Sequence, residues 1–167
     1  IKEANGDFRL KEEVAKQYDL YKEPGLNASY FVFNLKDKLL GSNKNLRKAI
    51  AAAIDVKKKI DLLGNGRGRK LYTLVPHPIS GSEEQIGKFG FEYDLAAAKE
   101  FLAKAGYPEG KGLNPIEFTL PGTSTALKNY FEFVRNALAS IGVVLKPDYK
   151  TWPSFLKATE RGDFQIA

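Results

Sequence analysis

The run Gly64-Asn65-Gly66-Arg67-Gly68-Arg69-Lys70 is where residue types and spacing come nearest to chemistry. Glycines interleaved with basic side chains can cradle a phosphate when the loop leaves a strand and opens a helix with Lys followed by Ser or Thr. Here the run follows a helical pattern and Lys70 precedes Leu71, so the nucleotide reading fails. Arg67, Arg69 and Lys70 are left as a solvated turn able to meet a carboxylate. His77 is the only His, set between Pro76 and Pro78. A zinc site needs three or four ligands and acid–base catalysis needs a paired group, and neither stands at helical or strand spacing from it. Glu83-Glu84 lies in polar loop and suggests no carboxylate dyad. The chain has no Cys, which removes disulfides, thiolate metal sites and Cys nucleophiles. With no convergent catalytic set, the expectation is a protein that is not an enzyme and uses no cofactor or metal.

A chain of 167 residues suits one ordinary domain, and 43% hydrophobic content is enough for a core. No apolar run approaches the roughly 18–20 residues that cross a bilayer. The longest, Ala49 to Ile54, is soon followed by Lys57-Lys58-Lys59. Ile1-Lys2-Glu3 opens directly into charged sequence, without a visible signal peptide. There is no Met, and Gly162-Asp163-Phe164-Gln165-Ile166-Ala167 reads as a turn and a strand that stops in mid-run, so the chain reads as a piece of something longer. A net charge of +6 raises the question of nucleic acid. The basic residues are spread along helices that also carry Asp and Glu, so the expectation is a solvated basic surface and no nucleic-acid partner.

The elements that must position any site follow from periodicity and punctuation. Phe8 to Tyr21 suits a short strand or turn leading into an amphipathic helix, ended by the turn Lys22-Glu23-Pro24-Gly25. Tyr30-Phe31-Val32-Phe33 is a buried-strand run closed by Asn34. Leu46, Ala49, Ile50, Ala53, Ile54, Ile60 and Leu63 mark one long helix of about four to five turns, closed by Gly64. Arg47 and Asp55 fall near one face of it; Arg47 is expected to tie the helix start to a neighbouring loop. Residues 64–92 are the loosest stretch.

Asp94 is an N-cap, Leu95, Ala98, Leu102 and Ala105 share one helical face, Gly106 stops the helix and Pro108 blocks its continuation. Ile116, Phe118 and Leu120 then alternate with Glu117 and Thr119 as a strand. Leu127, Tyr130, Phe131, Val134, Leu138 and Ile141 form the inner stripe of a further helix. Val143-Val144-Leu145 reads as a strand, Thr151–Glu160 as a short helix capped by Thr151 with Pro153 in its first turn, and Phe164–Ala167 as a last strand. Alternation of helix and strand from residue 91 onward indicates an α/β layer with parallel pairing.

Four blocks carry a resemblance. They are Tyr30-Phe31-Val32-Phe33-Asn34; Leu46-Arg47-Lys48-Ala49-Ile50-Ala51-Ala52-Ala53-Ile54-Asp55 with the turn at Gly64 and Gly66; Tyr93-Asp94 through Leu102-Ala103-Lys104-Ala105-Gly106-Tyr107-Pro108-Glu109-Gly110; and Ile141-Gly142-Val143 leading through Trp152 to Gly162-Asp163-Phe164. In this order they resemble the extracellular solute-binding proteins of family 5, the peptide- and nickel-type components of ABC importers, over roughly residues 28–167. The resemblance implies an incomplete lobe of a type II-like periplasmic binding protein, a mixed sheet flanked by helices, in one domain over 1–167 with a lead-in at 1–27.

The implied function is capture of oligopeptides or dipeptides by closure of two lobes, of which this chain supplies part of one. The implied partners are a peptide or other small solute and a membrane permease, with the binding protein monomeric. Its implied place is the periplasm or the outer face of the cytoplasmic membrane, by export and with a possible lipid anchor on the parent. The alternatives are another solute on the same scaffold, such as a nickel chelate or an oligosaccharide, or a free-standing basic α/β interaction module. The resemblance also picks out ligand-facing residues. Trp152 matches a Trp that lines the pocket, and an indole offers large contact area with little rotamer entropy to lose; the competing reading is a core anchor. Tyr30 and Asn34 flank the aromatic strand near the implied cleft, where Asn34 serves equally well as a turn residue.

Overall fold

In the computed structural model, which describes residues 11–19, 21, 25–73, 75–76, 79 and 91–167, Asp94 caps a helix as its position predicts. Its carboxylate accepts from the Ala97 N–H at 3.0 Å and opens α4, Leu95–Lys104. Ala98 and Leu102 of the predicted stripe are buried, and beyond Gly106 the Tyr107 N–H returns to the Leu102 carbonyl at 3.1 Å. The partner of α4 is α2, Lys44–Ala53, which buries Leu46, Ala49, Ile50, Ala52 and Ala53. Asn43 serves both helices: its Oδ1 accepts from the Leu46 N–H at 3.0 Å, and its Nδ2 donates to the last-turn carbonyl of Ala105 at 2.9 Å. The start of α2 therefore meets the end of α4, an antiparallel pair whose small residues let the backbones approach. Full burial of Leu46 and Leu102 contributes about 1.5–3 kcal/mol each.

The expected long helix over 46–63 is two helices. α2 ends at Ala53, Ile54 is extended (φ −99°, ψ 110°) with its side chain buried, and α3 runs from Val56 to Leu63. The cause is tertiary: the Ala52 carbonyl accepts from the Asp94 N–H at 2.9 Å instead of continuing the helical ladder. Arg47 and Asp55 are thus not on one helix. Arg47 does tie the helix start to the preceding loop, its Nη1 donating to the carbonyls of Leu40 and Gly41. α3 buries no residue, and Leu62 and Leu63 are exposed. The predicted amphipathic helix before Tyr21 is the single turn α1, Glu12–Ala15, without a buried residue; Phe8, Leu10, His77 and Glu83-Glu84 lie outside the described residues.

The sheet is built on a parallel pair. β1 (Ile116–Leu120) leads through α5 (Thr125–Ala139) to β2 (Leu145–Tyr149), with Ile116 opposite Leu145 and Leu120 opposite Tyr149. Parallel strands require such a crossover, and Phe131, Val134 and Leu138 of α5 are buried, as predicted for its stripe. On the other side of β1 the last residues pair in parallel, Phe118 with Ile166, and Phe33 pairs antiparallel with Ile166 in turn. The order across the layer is 31–34, 165–167, β1, β2, with only the first segment reversed.

Three strand expectations shift. The Tyr30–Phe33 run is extended but not buried, since Tyr30 and Val32 are exposed along the pairing edge. β2 begins at Leu145 rather than Val143 and continues past Pro147 to Tyr149, an edge strand that tolerates a proline facing away from β1. Thr119, expected on the polar face, is 1% exposed, its hydroxyl donating to Asp148 Oδ2 at 3.1 Å.

The chain groups into two compact units: residues 1–29 with 56–90, and residues 30–55 with 91–167, which hold the sheet, α2, α4, α5 and the last helix, α6 (Trp152–Arg161). In the second unit two glycines let the turn after α4 meet the turn after α5. A Cβ on Gly142 would stand 2.1 Å from the Glu109 carbonyl oxygen, and one on Gly110 would stand 1.9 Å from that of Gly142. Among the described residues no helix is long and apolar enough to cross a membrane.

Candidate functional site

Because 165–167, β1 and β2 run the same way, their carboxyl ends, Ala167, Leu120 and Tyr149, form one edge of the layer. The reversed segment brings its amino end, Tyr30, to that edge. Open parallel sheets bind ligands outside the carboxyl ends of their strands. From the 31–34 segment to β2 is three strand spacings, roughly 14 Å at about 4.8 Å each.

Two of the sequence-predicted residues stand at this edge with open rings. Trp152 is the first residue of α6, reached from β2 through Lys150, whose N–H donates to the Leu120 carbonyl at 2.9 Å. Trp152 is 59% exposed and its ring stacks on Phe155, with centroids 5.8 Å apart and planes 16° apart, so it is not a core anchor. Tyr30 is 63% exposed. Beneath the edge lie stacked and tilted aromatic rings: Phe31 on Tyr130 at 5.9 Å, Phe31 on Phe118 at 5.6 Å, and Phe131 edge-on to Tyr149 at 6.3 Å. Burial of Tyr130 pushes its phenol well above the ordinary value of 10.0 and keeps it neutral.

Asn34 stands four residues from Tyr30, at the other end of the segment. It is 9% exposed, its Nδ2 donates to the carbonyls of Gly162 and Phe164 at 2.7 Å each, and its Oδ1 accepts from the Lys36 N–H at 3.0 Å. Its polar atoms thus hold backbone. Sequence reasoning missed Asp148 and Lys150, which adjoin the edge beside Trp152. Lys150 Nζ lies 2.7 Å from Asp148 Oδ2, and that hydrogen bond raises the lysine above its ordinary value. The alternation through Lys146, Asp148 and Lys150 would have found them had the strand been read past Leu145. Among the described residues no group of three His, Cys, Asp or Glu could hold a metal ion.

A mixed sheet with helical crossovers and an aromatic carboxyl edge defines the class as part of an α/β lobe of the type II-like periplasmic binding proteins. The chain belongs to the bacterial extracellular solute-binding proteins, family 5, whose middle-region model matches residues 2–167. It is 28% identical over 154 residues to heme-binding protein A of Haemophilus influenzae, covering 92% of this chain and 28% of that protein. It is also 28% identical over 149 residues to di/tripeptide-binding protein 1 of Pseudomonas aeruginosa, covering 87% and 27%. Among solved structures, the ABC transporter-associated periplasmic binding protein DppA from Helicobacter pylori, in complex with the peptide STSA, superposes with a TM-score of 0.70 at 34% identity, covering 86% of this chain and 26% of that one. The chain therefore spans between a quarter and a third of the length of the relatives it matches.

Proposed function

We propose that this chain is part of the ligand-binding lobe of an exported protein that captures short peptides for an ABC importer, without chemistry. The observation that carries the reading is the open indole of Trp152 at the carboxyl edge of the sheet, in a chain of this family. An edge of roughly 14 Å accommodates about four residues of extended peptide at about 3.4 Å each. Trp152 and Tyr30 supply flat, rigid surfaces for ligand side chains, the rest of the protein closes over the other side, and burial with backbone hydrogen bonding provides the affinity. Asn34 serves the pocket from behind. A permease that docks on the closed, monomeric protein is the partner, and the periplasm or the outer face of the cytoplasmic membrane, with or without a lipid anchor, is the compartment.

The test is calorimetry of the full-length protein against di-, tri- and tetrapeptides, repeated with Trp152→Ala. A large aromatic contact residue predicts a rise in Kd of about tenfold or more. Unchanged affinity in the variant overturns the assignment of Trp152, and no peptide binding by the full-length protein overturns the ligand class. A second reading, a flat porphyrin, is favoured by the relative named for heme and by the open aromatic edge. Absorbance titration with hemin on the same protein distinguishes the two.

A further inference from the structure

The helix that carries Trp152 is held by little apolar surface: of the ten described residues of α6, Ala158 alone is buried. Its ends therefore set its direction. At the amino end it continues from β2, and the Phe155 N–H returns to the Thr151 carbonyl at 2.8 Å. At the other end Gly162 turns left-handed (φ 79°), and the carbonyls of Gly162 and Phe164 on either side of the turn both accept from Asn34 Nδ2. Asn34 comes from a segment 128 residues away from Gly162 in sequence and is itself fixed by the Lys36 N–H on its Oδ1. Gln165 extends the hold: its Oε1 accepts from the Glu117 N–H at 2.8 Å and its Nε2 donates to Asp37 Oδ2 at 3.2 Å. Two side-chain amides thus fasten the turn after α6 to the sheet.

We infer that Asn34 is a positioning residue for Trp152: by clamping the carboxyl end of α6 it sets the pitch of the helix whose amino end presents the indole. The inference rests on the reading of Trp152 as ligand-facing for its importance, but not for its geometry. A ten-residue helix is a lever of about 15 Å. Without the amide, that end of α6 is held only through residues 165–167, whose backbone pairs with β1 and with 31–34. With no large side chain buried, the pitch of the helix shifts and the indole moves with it.

Trp152 is the only Trp in the chain, so its fluorescence reports α6 directly. The test uses the full-length protein without ligand, in a background where any Trp outside this chain is replaced by Phe, as wild type, Asn34→Ala, Asn34→Asp and the control Leu102→Ala, which opens a cavity in α4 away from α6. Time-resolved anisotropy gives the local mobility of Trp152, and hydrogen exchange gives the opening of α6 relative to α5. Asn34→Ala leaves two carbonyls without their donor and is expected to speed exchange across α6 by about tenfold to a hundredfold, with α5 unchanged and the fast anisotropy component enlarged. Leu102→Ala leaves Trp152 at its wild-type mobility.

In Asn34→Asp a carboxylate faces two carbonyls, which raises its pKa above the unfolded value. Its clamp is therefore lost at neutral pH and partly restored on acidification, when the protonated acid donates to one carbonyl. Wild-type Trp152 mobility in Asn34→Ala, equal loosening by Leu102→Ala, or a loosening in Asn34→Asp that ignores pH each overturns the inference. Because no ligand is present, failure here is distinct from failure of the peptide reading.

Discussion

α5 and α6 leave the same edge of the sheet, one after each parallel strand, and are held in opposite ways. α5 is capped by Ser124, whose hydroxyl accepts from the Leu127 N–H at 3.3 Å, and drives Phe131, Val134 and Leu138 into the core. α6 starts at Thr151, whose hydroxyl pairs with Ser154 at 3.0 Å rather than with a helix amide, and exposes Trp152 and Leu156. One helix stabilises the sheet through apolar burial. The other keeps its large side chains outside and is oriented by polar clamps at its end. Burial and exposure of large side chains thus fall to different helices within one βαβα run.

The sharpest break in this contrast is Phe131→Ala. Loss of a buried ring that touches both Phe118 and Tyr149 is expected to destabilise the chain by about 3–5 kcal/mol in a urea titration. A cost below about 1 kcal/mol would mean that α5 is not the packed helix. The capping residues separate the two helices next. Ser124→Ala is expected to cost about 1 kcal/mol, and Thr151→Ala only a few tenths, roughly what an uncapped position gives. Equal costs would erase the distinction at the helix starts.

The smallest effect concerns Tyr130, on the α5 side. Its phenol is pushed above 10.0 in the folded chain, so above pH 10 the unfolded chain holds fewer protons than the folded one and stability falls as pH rises. Absorbance of tyrosinate should show Tyr130 ionising late, together with loss of structure. A phenol that titrates near 10 in the intact fold would place it in solvent.

What was legible in the sequence was whatever is settled locally. The Asp94 cap, the stripe of α4, the stripe of α5 and the turn opening at Gly162 all follow from neighbouring residues, and they stand where the pattern put them. What was not legible was settled across the fold. The helix over 46–63 broke because the Asp94 amide takes the Ala52 carbonyl, a partner some forty residues away. Thr119 went inside because Asp148 waits for it on the neighbouring strand. The aromatic segment at Tyr30 looked buried by composition, yet it is an edge. For the candidate site, residue chemistry and family likeness nominated Trp152, Tyr30 and Asn34. Only the strand order shows that the two rings share the carboxyl edge while the amide of Asn34 is committed to the turn after α6.

The hydrogen bond between Ala52 and Asp94 has a consequence for how the chain tolerates change. It joins the points where the chain leaves the second unit and returns to it, so residues 56–90 form an excursion whose two ends are already fastened together. Closing such an excursion depends only logarithmically on its length, about 0.6 kcal/mol for each doubling. The bond between Ala52 and Asp94 therefore tolerates changes in the length of the segment between them at little entropic cost.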